Sequence, residues 1–376
     1  MEQKTAAKHF PVVGDGSGLA HTDRLYKEEL QLALRNSGMP LEALRYPITP
    51  TGLHYLLIHF DIPAVNPGQW RLTIGGRVSK PFTLTLDAIK KRPTRNMVVT
   101  MECAGNGRAF FTPRRLSQPW LLEAVGTAEW TGTPLRAILE EAGLDQGARE
   151  IVFTGLDRGV EGEQLQYYQR SLSVSEAMRE EVLLAYQMNG QPLPPQHGYP
   201  VRLVVPGWYG MASVKWLERI EAVAESFHGY QMTKAYRYAP TAEGLGEPVT
   251  VQKVRALMVP PGVPDFMTRT RLVLPGAITL TGQAWAGRLT IARVEVSTDG
   301  GSNWPVARLG ETLSPYSWRS WSHHWDARPG KYALCVRATD SEGNVQPMQP
   351  QWNFGGYGNN AVQSVNVVVA SGFPQA

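Results

Sequence analysis

Apolar residues come mostly in short runs broken by Pro and Gly, the texture of strands joined by turns. The runs His54–Phe60, Trp70–Ile74, Met97–Glu102, Ile151–Thr154, Val182–Met188 and Val201–Val205 each predict a strand. Helical signals are fewer. Thr22 stands where a cap would open a helix running to about Asn36, with Gly38 behind it as a stop. A second helix is signed by Thr133 as N-cap, Pro134 in the first turn, the stripe Leu135, Ile138 and Leu139, and Gly143 as C-cap. Mixed strands and short helices predict an α+β domain.

The pattern changes after a Pro- and Gly-rich stretch, 239–265, that reads as a linker. Beyond it, Ile278–Trp285, Leu289–Ser297, Trp304–Leu309, Trp318–Trp325, Lys331–Thr339 and Ser364–Val369 read as strands, with Asp299-Gly300 as a hairpin turn. Short strands at regular spacing predict a β-sandwich of immunoglobulin type. The expected organisation is a lead-in and helix over 1–44, an α+β domain over 45–240 and a sandwich over 241–376. Trp318, Trp321 and Trp325 share a predicted sandwich strand and read as core or interface packing. His323-His324 reads as solvent-facing.

Composition narrows the function. With 43% hydrophobic residues in 376, the chain can bury two cores and is not disordered. The net charge of +4 is scattered, without a basic run, which argues against a nucleic-acid partner and suits a basic pocket for a small anion. The two cysteines, Cys103 and Cys335, cannot form a disulfide framework, and no Cys-x-x-Cys pair supports a c-type haem, an iron–sulfur cluster or a Cys-rich zinc site. No apolar signal core opens the sequence and no stretch is long enough to span a bilayer. The expectation is a cytoplasmic protein with no membrane partner, or a periplasmic one where an export signal has been removed.

Three segments carry candidate chemistry. In Met101-Glu102-Cys103-Ala104-Gly105-Asn106-Gly107-Arg108 a strand runs into a Cys and then a Gly-rich loop that lets backbone approach a ligand. Arg108 would set a cation near the thiol and favour thiolate. On its residues alone the segment fits a buried structural thiol as well as a ligand. Cys335, in Ala333-Leu334-Cys335-Val336, reads as a core thiol. In Val182–Gly190, Tyr186 sits near a strand end, where its hydroxyl could enter a pocket or simply be satisfied in the core. In the third segment His197, Arg202 and Lys215 flank a Pro- and Gly-punctuated strand, a set that suits a phosphate or pyrophosphate but is also ordinary surface charge.

In this order the motifs Cys103-Ala104-Gly105-Asn106, Leu183-Leu184-Ala185-Tyr186-x-Met188-Asn189-Gly190, His197-Gly198-Tyr199-Pro200-Val201-Arg202 and Val214-Lys215-Trp216 resemble the sulfite oxidase family of molybdenum enzymes, of a bacterial type without a haem domain. Ser297-Thr298-Asp299-Gly300-Gly301-x-x-Trp304 and Asn344-Val345-Gln346-Pro347 resemble that family's dimerisation domain. The resemblance runs from about residue 45 onward. It implies a molybdopterin-binding domain followed by an immunoglobulin-like dimerisation domain, and a homodimer.

By the same resemblance Cys103 supplies the one protein sulfur on molybdenum, Tyr186 is the active-site tyrosine and Arg108 attracts an anionic substrate. His59, Asp157, His197, Arg202 and Lys215 contact the pterin or its phosphate. The sequence departs from the family at two arginines: the Arg-Asn-His of eukaryotic-type members is Leu57-Ile58-His59 here, and Trp-Asn-Leu-Arg is Trp352-Asn353-Phe354-Gly355. Each loss removes a charge-assisted contact to an anion. Arg114 or Arg115 could refill the site. The expected activity is oxidation of sulfite or a related sulfur compound, with water as the oxygen source and a separate electron acceptor, a cytochrome or dioxygen. A sulfoxide reductase on the same cofactor and a non-catalytic molybdopterin-binding subunit are the alternative readings.

Overall fold

The computed structural model describes residues 19–20 and 25–372. Two sheets build the first part. One orders Gln191–Pro192, Leu183–Met188, Val125–Pro134 and Arg95–Glu102, with Arg202–Val204 also pairing on Leu183–Met188. The other orders Phe82–Leu84, Leu72–Gly76, Leu217–Val223, Glu150–Glu161 and Gln164–Ser173. Leu217–Val223 runs parallel to Leu72–Gly76, and the remaining pairs of that sheet are antiparallel.

Alternation assigns the two faces of the first sheet. Leu184 and Tyr186 join the core shared with the second sheet, together with Ile74, Phe153, Ile220 and the stripe Leu135, Ile138, Leu139 and Ala142 of the helix Leu135–Ala142. Leu183 and Ala185 join the opposite core with Met101, Cys103, Trp120 and Trp130, and so does Met188, because the pairing with Val125–Pro134 shifts register between Ala185 and Gln187. A strand covered on both faces has no polar side, which is why 182–186 is a continuous apolar run.

Several sequence expectations change in detail. The first helix is Lys27–Arg35 and opens after Tyr26; Thr22 lies outside the described residues. Thr133 lies within the strand Val125–Pro134, Pro134 takes the position before the next helix, and the Thr133 hydroxyl donates to the Ile89 carbonyl at 3.0 Å instead of capping that helix. Residues 54–60 form no strand and make a single bridge, between Ser37 and Leu56. Among the described residues no helix is long and apolar enough to cross a membrane.

The second part is a sandwich. A four-stranded sheet, Arg255–Met258, Gly276–Trp285, Arg319–Ala327 and Arg308–Thr312, faces a five-stranded one, Val263–Pro264, Arg271–Val273, Gln363–Val369, Gly330–Asp340 and Ile291–Ser297. Trp321 and Trp325 pack between them with Val294, Leu334, Val336 and Val367. Trp318 turns the other way and packs with Trp285, Leu257, Met39 and Leu44, joining the sandwich to the first part.

A buried ion pair crosses the same junction. Glu102 and Arg255 are each 1% exposed, with Nη1 and Oε1 2.6 Å apart. Glu102 Oε1 also accepts from Asn106 Nδ2 at 3.0 Å, and its Oε2 accepts from Trp285 Nε1 at 2.9 Å. Removing one member of such a pair strands a charge where water cannot reach it. Arg255→Met should cost about 3–5 kcal/mol of unfolding free energy in a denaturant titration. A loss below about 1 kcal/mol would show that the pair is not a structural tie.

Candidate active site

Cys103 directly follows the strand Arg95–Glu102 and is held by backbone on both sides. Its N–H donates to the Ala124 carbonyl at 2.9 Å, and its carbonyl accepts from Asn106 N–H at 2.9 Å. Asn106 clamps the turn, donating to Glu102 and accepting from Ala124 N–H at 3.1 Å. The glycines are required by crowding. A Cβ on Gly105 would lie 2.6 Å from the Arg108 guanidinium, and one on Gly107, whose φ is +89°, would lie 2.8 Å from the Asn359 amide. Burial pushes the Cys103 thiol up, against the pull of the Arg108 cation and the Gly105 N–H, so Arg108 alone does not free a thiolate.

A narrow recess of about 60 Å³ opens beside Cys103 and gathers His59, Asp157, His197, Arg202 and Lys215, residues spread over more than 150 positions of chain. His54, Ser213 and Tyr236, not singled out from sequence, line it too. Arg202 donates to the His197 and Ser213 carbonyls at 3.1 and 3.0 Å, and its guanidinium lies 4.8 Å from the Trp130 ring centre. Lys215 Nζ donates to the carbonyls of Leu57 at 2.8 Å and Gln196 at 3.2 Å. Neither cation forms an ion pair among the described residues.

Burial lowers Arg202 to about 10, still charged at neutral pH. Lys215 is likewise lowered, by burial and then by Arg202, while burial raises the Asp157 carboxyl against the pull of Lys215. Asp157 Oδ1 has no hydrogen-bond partner. Dry cations outside any ion pair among the described residues and an orphaned acceptor suit a ligand that brings an anionic group and N–H donors. Among the described residues no cluster of His, Cys, Asp and Glu could hold a metal by itself. A metal on Cys103 would take its other ligands from such a ligand.

A second cavity, about 310 Å³, adjoins the recess at Leu57, His59, Cys103 and Tyr236 and is also lined by Arg108, Arg115 and Tyr357. Arg108 is buried, donates to the Gln118 and Gly355 carbonyls at 3.0 and 3.1 Å, and stands 5.1 Å from the Tyr357 ring centre. Tyr236 is held in a left-handed conformation, φ +55°. Its hydroxyl lies 2.6 Å from His59 Nε2, and its ring stacks on Tyr357 at 5.1 Å.

Tyr186 is not brought to this site. Its parity in the strand Leu183–Met188 places it on the Leu184 face, where its hydroxyl meets the Thr94 hydroxyl at 2.9 Å. Tyr55, Tyr168 and Tyr357 each line one of the two cavities at Cys103, and Tyr236 lines both. Arg114 does not face the cavity either, since both of its terminal nitrogens meet the buried Glu29 carboxylate. Arg115, the next residue along the chain, does line it. At position 355 an added Cβ would meet the Tyr357 ring at 2.3 Å, so Tyr357 occupies the space a longer side chain would need.

Burial lowers His54 to about 4, His59 to about 3 and His197 to about 2. In the unfolded chain histidine protonates near pH 6.5. The fold therefore excludes protons that the unfolded chain binds between pH 6.5 and about 4, and stability falls with pH across that window. Each histidine contributes about 1.4 kcal/mol per pH unit. Denaturation midpoints should drop clearly from pH 7 to pH 5; equal midpoints would show that these rings are solvated.

Comparison with known proteins gives consistent matches. A family model described as an oxidoreductase molybdopterin binding domain matches residues 59–231, and one described as a Mo-co oxidoreductase dimerisation domain matches 251–370. The chain is 35% identical to mitochondrial sulfite oxidase of Homo sapiens over 86% of its own length and 62% of that protein's, so it spans under two thirds of this relative. It is 34% identical to sulfite oxidase of Arabidopsis thaliana, over 84% of its own length and 86% of that protein's. The solved structure of the sulfane dehydrogenase SoxCD from Paracoccus pantotrophus superposes with a TM-score of 0.78 at 26% identity, covering 97% of this chain and 96% of that one.

Proposed function

The chain belongs to the sulfite oxidase family of molybdopterin-dependent oxidoreductases, and from that premise we propose that it oxidises a sulfur oxyanion such as sulfite at Cys103. The observation that carries this reading is the meeting of Cys103, Arg108 and Tyr236 in one cavity, directly beside a recess whose buried cations form no ion pair among the described residues. The donors and acceptors lining that recess suit the cofactor's phosphate and pterin edge. Arg202 and Lys215 would face the pterin's phosphate, the free Oδ1 of Asp157 its N–H edge, and the Cys103 thiolate would complete a sulfur-rich set around molybdenum. When bound, molybdenum supplies the two-electron redox chemistry and polarises the oxygen to be transferred.

This chain's residues would do the rest. Arg108 and Arg115 draw the anion into the cavity beside Cys103. Tyr236 and His59 hold one proton between Oη and Nε2 across 2.6 Å. Burial keeps His59 uncharged and lifts the Tyr236 hydroxyl well above its usual range, so the pair stays neutral and can donate a hydrogen bond to an oxyanion. Sulfite and water would give sulfate, two protons and two electrons, the electrons leaving to a separate acceptor, a cytochrome or dioxygen. The sandwich would pair two copies of the chain as a homodimer.

Sulfite-dependent reduction of an artificial acceptor by molybdenum-loaded protein is the test, and no sulfite-dependent turnover would sink the substrate assignment. Cys103→Ser should abolish turnover with the fold retained, as judged by circular dichroism. Tyr236→Phe should slow kcat by about 100-fold, the low end for loss of a positioned proton donor. Tyr186→Phe, which loses only the Thr94 contact, should cost about 1 kcal/mol of stability and leave turnover alone. The reverse ranking of the two tyrosine variants would restore Tyr186 to the site.

A further inference from the structure

Sulfite has four heavy atoms, yet the space in front of Cys103 does not end with the cavity it would need. At Arg115 and Tyr357 that cavity continues into an outer one of about 540 Å³. Sites of this size hold whole organic ligands. The neck is kept open by local geometry. The Tyr357 ring leaves no room for a side chain at position 355, and on the other wall a Cβ at Gly162, φ +60°, would lie 2.7 Å from the Tyr230 ring. Close to Cys103 the lining includes Leu57, so that wall of the inner cavity is apolar.

The charge available to a ligand lies further out. Arg115, at the neck, forms no ion pair among the described residues, and its guanidinium rests 5.6 Å from the Phe354 ring centre. Lys234 lines the outer cavity, is exposed, and its ammonium likewise has no partner among the described residues. Arg237 also lines it, but its guanidinium is committed to the carbonyls of Leu245, Met232 and Gly246 and so adds charge without a free donor. Glu243 is the acidic group in the outer lining; Glu161 in the inner one accepts from Gln231 Nε2 at 2.7 Å and feels the Arg115 cation, which leaves Lys234 as the cation without an acidic neighbour in contact among the described residues.

We propose that the outer cavity is a subsite for the distal anionic end of an elongated sulfur compound, whose terminal sulfur reaches Cys103 through the neck at Arg115 and Tyr357. The class is a thiol- or sulfane-ended chain carrying a sulfonate or carboxylate. Aromatic walls at Tyr230, Phe354 and Tyr357 receive the linker, and Lys234 and Arg115 receive the charge. The inference rests on the reading of Cys103 as the thiolate that holds the reacting metal, and it changes which part of the substrate carries the recognised charge.

Calorimetric binding to the molybdenum-loaded protein tests it with two probes, 3-sulfanylpropane-1-sulfonate and propane-1-thiol, which differ only in the distal anion. The sulfonate should bind at least about tenfold more tightly, the worth of one charge-assisted contact. Lys234→Glu should abolish that preference and Lys234→Arg should keep it. Equal affinity of the two probes, or a preference untouched by Lys234→Glu, would overturn the subsite. Binding is read without turnover, so the two readings fail separately. A retained probe preference without sulfite oxidation would count against the proposed reaction only, and sulfite oxidation without a probe preference against the subsite only.

Discussion

The position of Cys103 depends on the charge buried behind it. Glu102, the preceding residue, points its carboxylate to the opposite side of the strand, where Arg255 and Trp285 from the sandwich and Asn106 from the Cys103 loop all donate to it. An ion pair this dry gains little net stability by itself, because desolvation offsets the attraction. It fixes an arrangement instead, since any shift of the strand against the sandwich would leave a buried charge without its partner. Further contacts tie the same loop to the end of the chain: Asn359 Nδ2 donates to the Gly107 carbonyl at 2.8 Å, and Gly358 N–H donates to the Ala104 carbonyl at 2.8 Å. The sandwich is therefore part of the apparatus that positions the thiol.

The recess is organised by the opposite kind of electrostatics. Behind Cys103 the buried charges of Glu102 and Arg255 answer each other; in front of it Arg202 and Lys215 form no ion pair among the described residues, and burial keeps the surrounding histidines uncharged. A fold tolerates unanswered cations where a bound anion completes them, at a cost to the ligand-free state. The contrast separates residues that hold the scaffold from those that face the cofactor.

Much of this was legible in the sequence, and the failures have physical causes. Buried strands announced themselves as apolar runs because burial acts locally, whereas Asp299-Gly300 closes no two-residue hairpin: Ile291–Ser297 pairs with Gly330–Asp340, and Arg308–Thr312 lies in the other sheet. The central strand Val125–Pro134 was missed because Gly, Thr and Ala dominate it and the close-packed Gly132 leaves no apolar period to read. Thr133 carried a capping signature that the Ile89 carbonyl outcompeted. Tyr186 and Tyr236 show the harder limit. A motif can mark a strand as belonging to the site's neighbourhood without revealing which face a residue takes, and alternation turned Tyr186 away from Cys103. Tyr236 lies at the edge of a stretch that reads as a linker, in a conformation no local signal foretells. Likewise one of Arg114 and Arg115 had to point inward, since neighbours on a strand face opposite ways, and only the buried Glu29 decides which.

The central claim is that Cys103 provides the single protein sulfur to a molybdenum whose other sulfurs belong to the pterin. X-ray absorption at the molybdenum edge, on loaded wild-type protein and on loaded Cys103→Ser, tests it most directly. The account predicts that the variant loses one sulfur neighbour while the pterin's sulfurs remain. An unchanged sulfur count in the variant would contradict it.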